Sequence, residues 1–194
     1  MEDDISLDIP FYSQHADAHE DDESATSTPF EHGDLGCWRA TNAAIGDTTG
    51  EFDPQGRAVV GSDQAIQIAY GYDDQNGALG ENYDAEQAAA GIEYIDSQLE
   101  EGNPVMVGVN HGPGNSGNDD GLTDHYVNIY GRREGEDGEI YYDYLDPWAR
   151  NREDAQGTFQ VDERGMLVDP EGLLGGSEPN QGFYEVSQVR PNIE

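Results

Sequence analysis

Cys37 is the only cysteine of this 194-residue chain, and it stands where a glycine-rich segment gives way to a helix-forming run. A thiol at the N-terminus of a helix meets the positive end of the helix dipole and free backbone N–H groups. Both favour the thiolate, which is the nucleophilic form of cysteine. This position makes Cys37 a candidate nucleophile.

A base and an orienting carboxylate come from two predicted strands. His125 opens the strand that continues as 126–130, and Asp146 closes the next strand, at 139–145. The turn-rich sequence 134–138 between them predicts an antiparallel hairpin, so His125 and Asp146 should meet at one edge. A nucleophile, a base and a carboxylate are the parts that covalent acyl transfer requires.

Acyl transfer also needs a donor for the oxyanion that forms when a thiolate attacks a carbonyl. Gln14 can supply its side-chain amide, together with the backbone N–H of Cys37. A long acidic stretch separates Gln14 from Cys37 and must loop out if the two are to meet.

Three blocks of sequence carry a resemblance to a known family. They are Ile9-Pro10-Phe11-Tyr12-Ser13-Gln14, then Gly36-Cys37-Trp38, and a set running from Gly102-Asn103-Pro104-Val105 through His125-Tyr126-Val127 and Gly131 to Asp146-Pro147-Trp148. In this order they resemble the papain-like cysteine peptidases, and within them a bacterial branch similar to bacteriocin-processing peptidases. The resemblance spans residues 9 to 148, but only these short blocks match.

The resemblance implies a role for each residue. Cys37 attacks an amide carbonyl, His125 deprotonates the thiol and later protonates the leaving amine, and Asp146 orients His125. Gln14 helps to hold the oxyanion. Candidates for the substrate cleft are Gly36, Trp38 and Trp148. The implied substrate is a peptide or protein, and the family leaves open a proteinaceous inhibitor or immunity partner.

The order of predicted elements, helices first and an antiparallel sheet afterwards, indicates an α+β fold. We expect one domain over 1–194, papain-like in architecture. Its parts are a loop-rich segment at 1–36 with an acidic insertion, a helical part at 37–103 and an antiparallel sheet or barrel at 104–194. The central helix carries Cys37, and the sheet carries His125 and Asp146.

Local patterns place the individual elements. Apolar spacing and capping residues predict helices at 37–45, 63–71 and 84–102. Beyond the three strands around the candidate site, β-forming runs predict strands at 158–161 and 183–189. The tail beyond Asn151 has no counterpart in the family, and we expect it to shape a substrate cleft or to cover a sheet edge.

The charge of the chain excludes several classes of partner. Against 42 Asp and Glu there are 8 cationic side chains, all arginine, which gives a formal net charge of −34. Such a charge repels nucleic-acid phosphates and anionic membrane surfaces. We interpret the acidity and the absence of lysine as salt adaptation. An acidic DNA mimic is disfavoured, because the carboxylates are spread along the whole chain beside a catalytic constellation.

We predict no metal and no cofactor. Residues 112–117 fit the dinucleotide pattern G-x-G-x-x-G, but loop sequence rather than a helix follows them. His15 and His19 lie four apart beside carboxylates without forming His-Glu-x-x-His, so a solvated loop is favoured over a metal site.

The N-terminal sequence lacks the basic and apolar regions of a signal peptide, and no run approaches transmembrane length. We therefore expect a cytoplasmic protein or one exported by a leaderless route.

Two other functions fit the same residues. The triad also supports acyl transfer to an amine or side-chain deamidation, as in effector toxins with papain-like folds. A catalytically inactive binding module on a peptidase scaffold is the third reading, and it predicts an unreactive Cys37.

Overall fold

The computed structural model describes residues 4–15, 26–27, 36–71, 82–111, 120–172 and 183–194. These residues form two α-helices, α1 (Gly36–Thr49) and α2 (Ala85–Glu100), and a short 3-10 helix (Ser62–Gln64). The strands are β1 (Ile5–Ser6), β2 (Tyr12–Ser13), β3 (Thr26–Ser27), β4 (Ile66–Gln67), β5 (Val105–Asn110), β6 (His125–Glu134), β7 (Ile140–Leu145), β8 (Gln156–Val161), β9 (Leu167–Asp169) and β10 (Tyr184–Arg190).

Six of these strands close into an antiparallel barrel. The order is β6-β5-β10-β9-β8-β7, and β7 pairs back with β6 to complete the ring. The short strands β1 and β4 add to the outside, β1 on β6 and β4 on β10. Closure leaves the six strands of the ring with a partner on both sides, which removes free sheet edges.

Strand alternation separates the inside of the barrel from the face that receives α1. Along β6, Val127 and Ile129 are fully buried in the main apolar core. Asn128, between them, turns to the other face, where its side-chain amide donates to the Thr41 carbonyl of α1 at 3.2 Å. His125 shares the face of Val127, because side chains two apart point the same way. The candidate base therefore projects at the end of the barrel interior.

The prediction of an α+β, papain-like fold with a helical N-terminal part is wrong. The described residues form a mostly β structure, in which a closed barrel is accompanied by two helices. The predicted helix at 63–71 is instead the 3-10 helix followed by β4. Ile66 and Ala69 are spaced for a helix, whereas Ile66 and Ile68 are spaced for a strand. The backbone N–H of Ile68 donates to the Ser187 carbonyl of β10 at 2.8 Å.

The tail beyond Asn151 contains the predicted strands at 158–161 and 183–189 and belongs to the barrel. Strands β8, β9 and β10 come from this part of the chain, and they make up half of the barrel ring. The tail is thus part of the core rather than a cover for a sheet edge.

Both helices begin where the sequence predicts. Asp84 caps α2 by accepting the N–H groups of Glu86 at 2.9 Å and Gln87 at 3.1 Å, and the helix buries the predicted Ala88, Ile95 and Leu99. The first helix continues past its predicted stop at Gly46. Gly46 serves packing rather than termination, because the ring of Phe52 lies where a Gly46 side chain would stand.

The N-terminal segment runs along the chain that follows β7. Ile9 and Phe11 are buried in a second apolar cluster with Leu145, Ala149 and Ala155. The Ser13 hydroxyl donates to the Ala149 carbonyl at 2.7 Å, and the backbone N–H of Gln14 donates to the Pro147 carbonyl at 2.8 Å. This pairing carries Gln14 to the end of β7.

Among the described residues, neither helix has the length and apolar character needed to cross a membrane.

Candidate active site

Three separate elements bring Cys37, His125 and Asp146 together. His125 begins β6, and Asp146 directly follows β7, its hairpin partner. The His125 Nε2 atom lies 2.7 Å from Asp146 Oδ1, so the adjacency predicted from the hairpin is confirmed. Both side chains are buried, at 3% and 0% exposure.

Cys37 approaches the same histidine from α1. It is the second residue of the helix, and it is a free, buried cysteine. Its side chain interacts with the His125 imidazole and helps to raise the pKa of His125. Because Asp146 occupies Nε2, the ring nitrogen left for Cys37 is Nδ1. The imidazole thus stands between a thiol and a carboxylate.

Both oxygens of the Asp146 carboxylate accept hydrogen bonds. Oδ1 faces His125 and also accepts the Trp148 backbone N–H at 2.8 Å, while Oδ2 accepts the Tyr184 hydroxyl at 2.6 Å. Burial alone would raise the pKa of Asp146, but the charge of His125 and these hydrogen bonds outweigh it and hold the pKa below its ordinary value. Asp146 is therefore an anion in the folded protein.

That anion controls the charge of the histidine. Burial disfavours the imidazolium, but the Asp146 carboxylate, together with Cys37, outweighs burial and raises the pKa of His125. The site is therefore built to carry a protonated imidazole beside the sulfur. An imidazolium in this place stabilises a thiolate and holds a proton ready for a leaving group.

Gln14 reaches the start of α1 despite its distance in sequence. A side-chain carbon added to Gly36 would lie 3.1 Å from the Gln14 Cβ atom, so the two residues are in close contact. The Gln14 Oε1 atom is buried and accepts no hydrogen bond from the described residues. Beside it, the first turn of α1 offers backbone N–H groups that have no partner within the helix. Gln14 therefore lies at the start of the helix that carries Cys37.

The two cleft tryptophans differ in exposure. Trp148 is 43% exposed, and its ring meets the edge of His15 at a centroid distance of 5.1 Å. Trp38 is partly buried and packs against the apolar cluster that contains Cys37. Trp148 is the better placed of the two to touch a bound molecule, because it is open to solvent next to Asp146.

A second histidine and a second aspartate adjoin the site without having been predicted. The His111 ring lies 6.4 Å from the His125 ring, centroid to centroid, and the Asp124 carboxylate accepts the His111 N–H at 3.2 Å. Burial raises the pKa of Asp124 to about 7. Burial, followed by the charge of His125, lowers the pKa of His111.

Of the site neighbours that were not predicted, His111 had a signal in the sequence and Tyr184 did not. The ends of β5 and β6 meet because Val109 pairs with His125, and the two predicted strands could have placed His111 there. Tyr184 had no such signal, because no local pattern says which strand β10 joins.

The other sequence motifs lie only partly within the described residues. Among the described residues, no group of three or more His, Cys, Asp and Glu side chains could hold a metal ion. His15 lies 2.8 Å from the Trp148 carbonyl through Nε2, whereas His19 and the glycine motif at 112–117 lie outside the described residues.

Comparisons with known proteins give little. No family model matches the chain, and no curated protein matches it. One solved structure, titled "Crystal Structure Analysis of SERA5E from plasmodium falciparum", aligns at 14% identity with a TM-score of 0.27. The alignment covers 63% of this chain and 56% of that one, so the chain spans little more than half of it. At this TM-score the likeness carries no argument.

Proposed function

We propose that this protein is a cysteine-dependent amide hydrolase that acts on peptides or proteins through an acyl-enzyme. The observation that carries the proposal is the buried contact sequence Cys37–His125–Asp146, with a 2.7 Å His–Asp hydrogen bond. A structural cysteine in an apolar core does not need an imidazole held by an ionised carboxylate. Nucleophilic catalysis does.

The first half of the proposed reaction forms a thioester. The Cys37 thiolate attacks the amide carbonyl carbon, and the new C–S bond places negative charge on the carbonyl oxygen. The Gln14 amide and the backbone N–H of Cys37 stabilise that oxygen. When the C–N bond breaks, the His125 imidazolium gives its proton to the leaving amine.

The second half releases the acid. Neutral His125 takes a proton from water, which attacks the thioester carbonyl. The C–S bond then breaks, and the thiolate and imidazolium return as a pair. Asp146 keeps its charge throughout and stabilises the imidazolium at both ends of the cycle.

A generic acyl donor tests this chemistry without knowledge of the natural substrate. We expect p-nitrophenyl acetate to acetylate Cys37, to give a burst of nitrophenolate and then to turn over slowly. Cys37→Ala should lose both phases, and His125→Ala should lose most of each. Intact-mass measurement should show one acetyl group on the native chain. A His125→Ala variant with native burst and turnover would contradict the proposal.

A pool of peptides then separates hydrolysis from transfer. New peptide termini indicate hydrolysis, whereas products joined to an added amine indicate acyl transfer. A mass gain of about 1 Da on glutamine indicates deamidation. All three need the same triad, so this experiment assigns the acceptor, and the acetylation experiment assigns the nucleophile.

A further inference from the structure

We propose that Tyr184 is a positioning residue of the candidate triad, because its hydroxyl fixes the Asp146 carboxylate that holds the His125 ring toward Cys37. This inference rests on the proposed function and adds a fourth side chain to it. Tyr184 comes from β10, an element that no sequence pattern connected with the site.

The contacts of Asp146 show why a fourth residue is needed. One carboxylate oxygen serves both His125 Nε2, at 2.7 Å, and the Trp148 N–H, at 2.8 Å. The other oxygen has the Tyr184 hydroxyl, at 2.6 Å. With this hydrogen bond in place, the carboxylate cannot rotate about its last bond without losing a partner. A free second oxygen would compete with the first for His125.

Tyr184 is itself held rigidly. Its side chain is fully buried, and its backbone pairs with Asp169 of β9 inside the barrel ring. A side-chain carbon on Gly172 would stand 2.4 Å from the Tyr184 ring, so the ring lies flush against the chain at that glycine. The ring also lies 6.0 Å from the His125 ring, centroid to centroid. The hydroxyl is therefore a fixed donor.

The barrel contains a matched control. Tyr144 is also fully buried, and its hydroxyl donates to another carboxylate, Asp169 Oδ2, at 2.7 Å. Its ring stacks on Phe159 at 4.3 Å and lies 6.2 Å from the Tyr184 ring. Tyr144→Phe and Tyr184→Phe each remove one buried hydrogen bond to an aspartate. Tyr184→Phe alone removes a bond to the triad.

Several titratable groups surround the pair that the test perturbs. Asp146 and His125 face each other from the hairpin. Cys37 faces His125 from α1, and Tyr184 faces Asp146 and His125 from β10. His111 and Asp124 lie beside His125 at the meeting of β5 and β6, and Tyr144 feels the charge of Asp146 from β7. Apart from Tyr184 itself, none of these groups changes identity in Tyr184→Phe, so a shift of the profile reports the lost hydroxyl.

The experiment is the rate of iodoacetamide alkylation of the full chain between pH 4 and 10, for wild type, His125→Ala, Tyr184→Phe and Tyr144→Phe. Cys37 is the single cysteine, so each alkylation reports this site. We expect Tyr184→Phe to react about tenfold more slowly at neutral pH, with its rising limb moved up by about one pH unit. Tyr144→Phe should keep the native pH profile of alkylation, although its melting temperature should fall by about as much as that of Tyr184→Phe.

The possible outcomes separate this inference from the proposed function. If His125→Ala reacts like wild type, the Cys–His pair is absent and both fail. If His125→Ala is slow but Tyr184→Phe follows the native profile, the inference alone is overturned. Should Tyr184→Phe fail to fold, Gly172→Ala takes its place, since it pushes the Tyr184 ring while keeping the hydroxyl, and a native profile there overturns the inference equally.

Discussion

Asp146 has two separable functions in the proposed mechanism, because a carboxylate both orients an imidazole and carries charge. Asp146→Asn tests the second. Asparagine can still accept from His125 and from the Trp148 N–H through its oxygen, but it cannot stabilise an imidazolium by charge. We expect ester turnover to fall by about 100-fold or more. The variant should remain faster than His125→Ala in parallel assays, and native turnover would show that the charge plays no part.

Gln14 acts at a later moment than the triad, and this difference can be measured. Alkylation by iodoacetamide forms no oxyanion, whereas attack on an ester does. We expect Gln14→Ala to lower ester turnover by about 100-fold and to leave the alkylation rate unchanged. Equal losses in the two assays would instead mean that Gln14 supports the position of α1, which it touches at Gly36.

Asp124 should make stability depend on pH in an unusual direction. Burial raises its folded pKa to about 7 from the ordinary 3.8, so the folded state binds more protons than the unfolded state between these values. Stability then falls as pH rises from about 4 to about 7. We expect Asp124→Asn to match wild type near pH 4 and to be more stable at pH 8, by about 1–3 kcal/mol.

Urea denaturation at the two pH values measures this difference. Asparagine keeps an oxygen that accepts the backbone N–H of His111, so this hydrogen bond is preserved while the ionisable carboxyl group is removed. A variant less stable than wild type at pH 8, or an offset that is the same at both pH values, would contradict the assignment.

At the scale of elements, the two helices have different roles. The first carries Cys37, while α2 packs its Ala88, Ile95 and Leu99 face into the main core. Weakening the start of α2 should therefore affect stability without affecting the site. We expect Asp84→Ala to lower the free energy of unfolding by about 1 kcal/mol and to leave Cys37 alkylation unchanged. A native unfolding midpoint would show that the cap is dispensable.

The strands around the site were predictable because each has a continuous β-forming run bounded by breakers. The β6–β7 hairpin was predictable for a further reason, since its turn sequence joins neighbouring strands and so fixes which ends meet. This local logic brought His125 and Asp146 together correctly.

Pairing between distant strands was not predictable. Nothing local connects β10 with β5 and β9, so the sequence could not decide between an open sheet and a closed barrel and could not predict the Tyr184 contact. The segment 63–71 shows the related limit of short apolar patterns. Ile66 and Ala69 fit a helical period, but Ile66 and Ile68 fit a strand period, and backbone hydrogen bonds from residues 68 and 69 to the Ser187 carbonyl favour the extended form. The overall class was therefore wrong, although the contact between His125 and Asp146 was predicted correctly.

The whole molecule carries a formal charge of −34, which opposes compaction when it is unscreened. The Debye length falls from about 10 Å at 0.1 M salt to about 3 Å at 1 M, so added salt weakens this repulsion. We expect the melting temperature to rise by several degrees between 0.1 and 2 M KCl. Sucrose, which carries no charge, is the control for exclusion from the surface. A flat or falling melting temperature in KCl would count against salt adaptation.

The central claim is that Cys37 and His125 act as one nucleophilic unit. Its most direct test is the pH dependence of Cys37 alkylation in concentrated KCl, for the native chain and for His125→Ala. We expect native Cys37 to react at least about tenfold faster than the variant at pH 6, because the imidazolium stabilises the thiolate there. Superimposable profiles would contradict the account, leave Cys37 as a structural cysteine and favour a binding module.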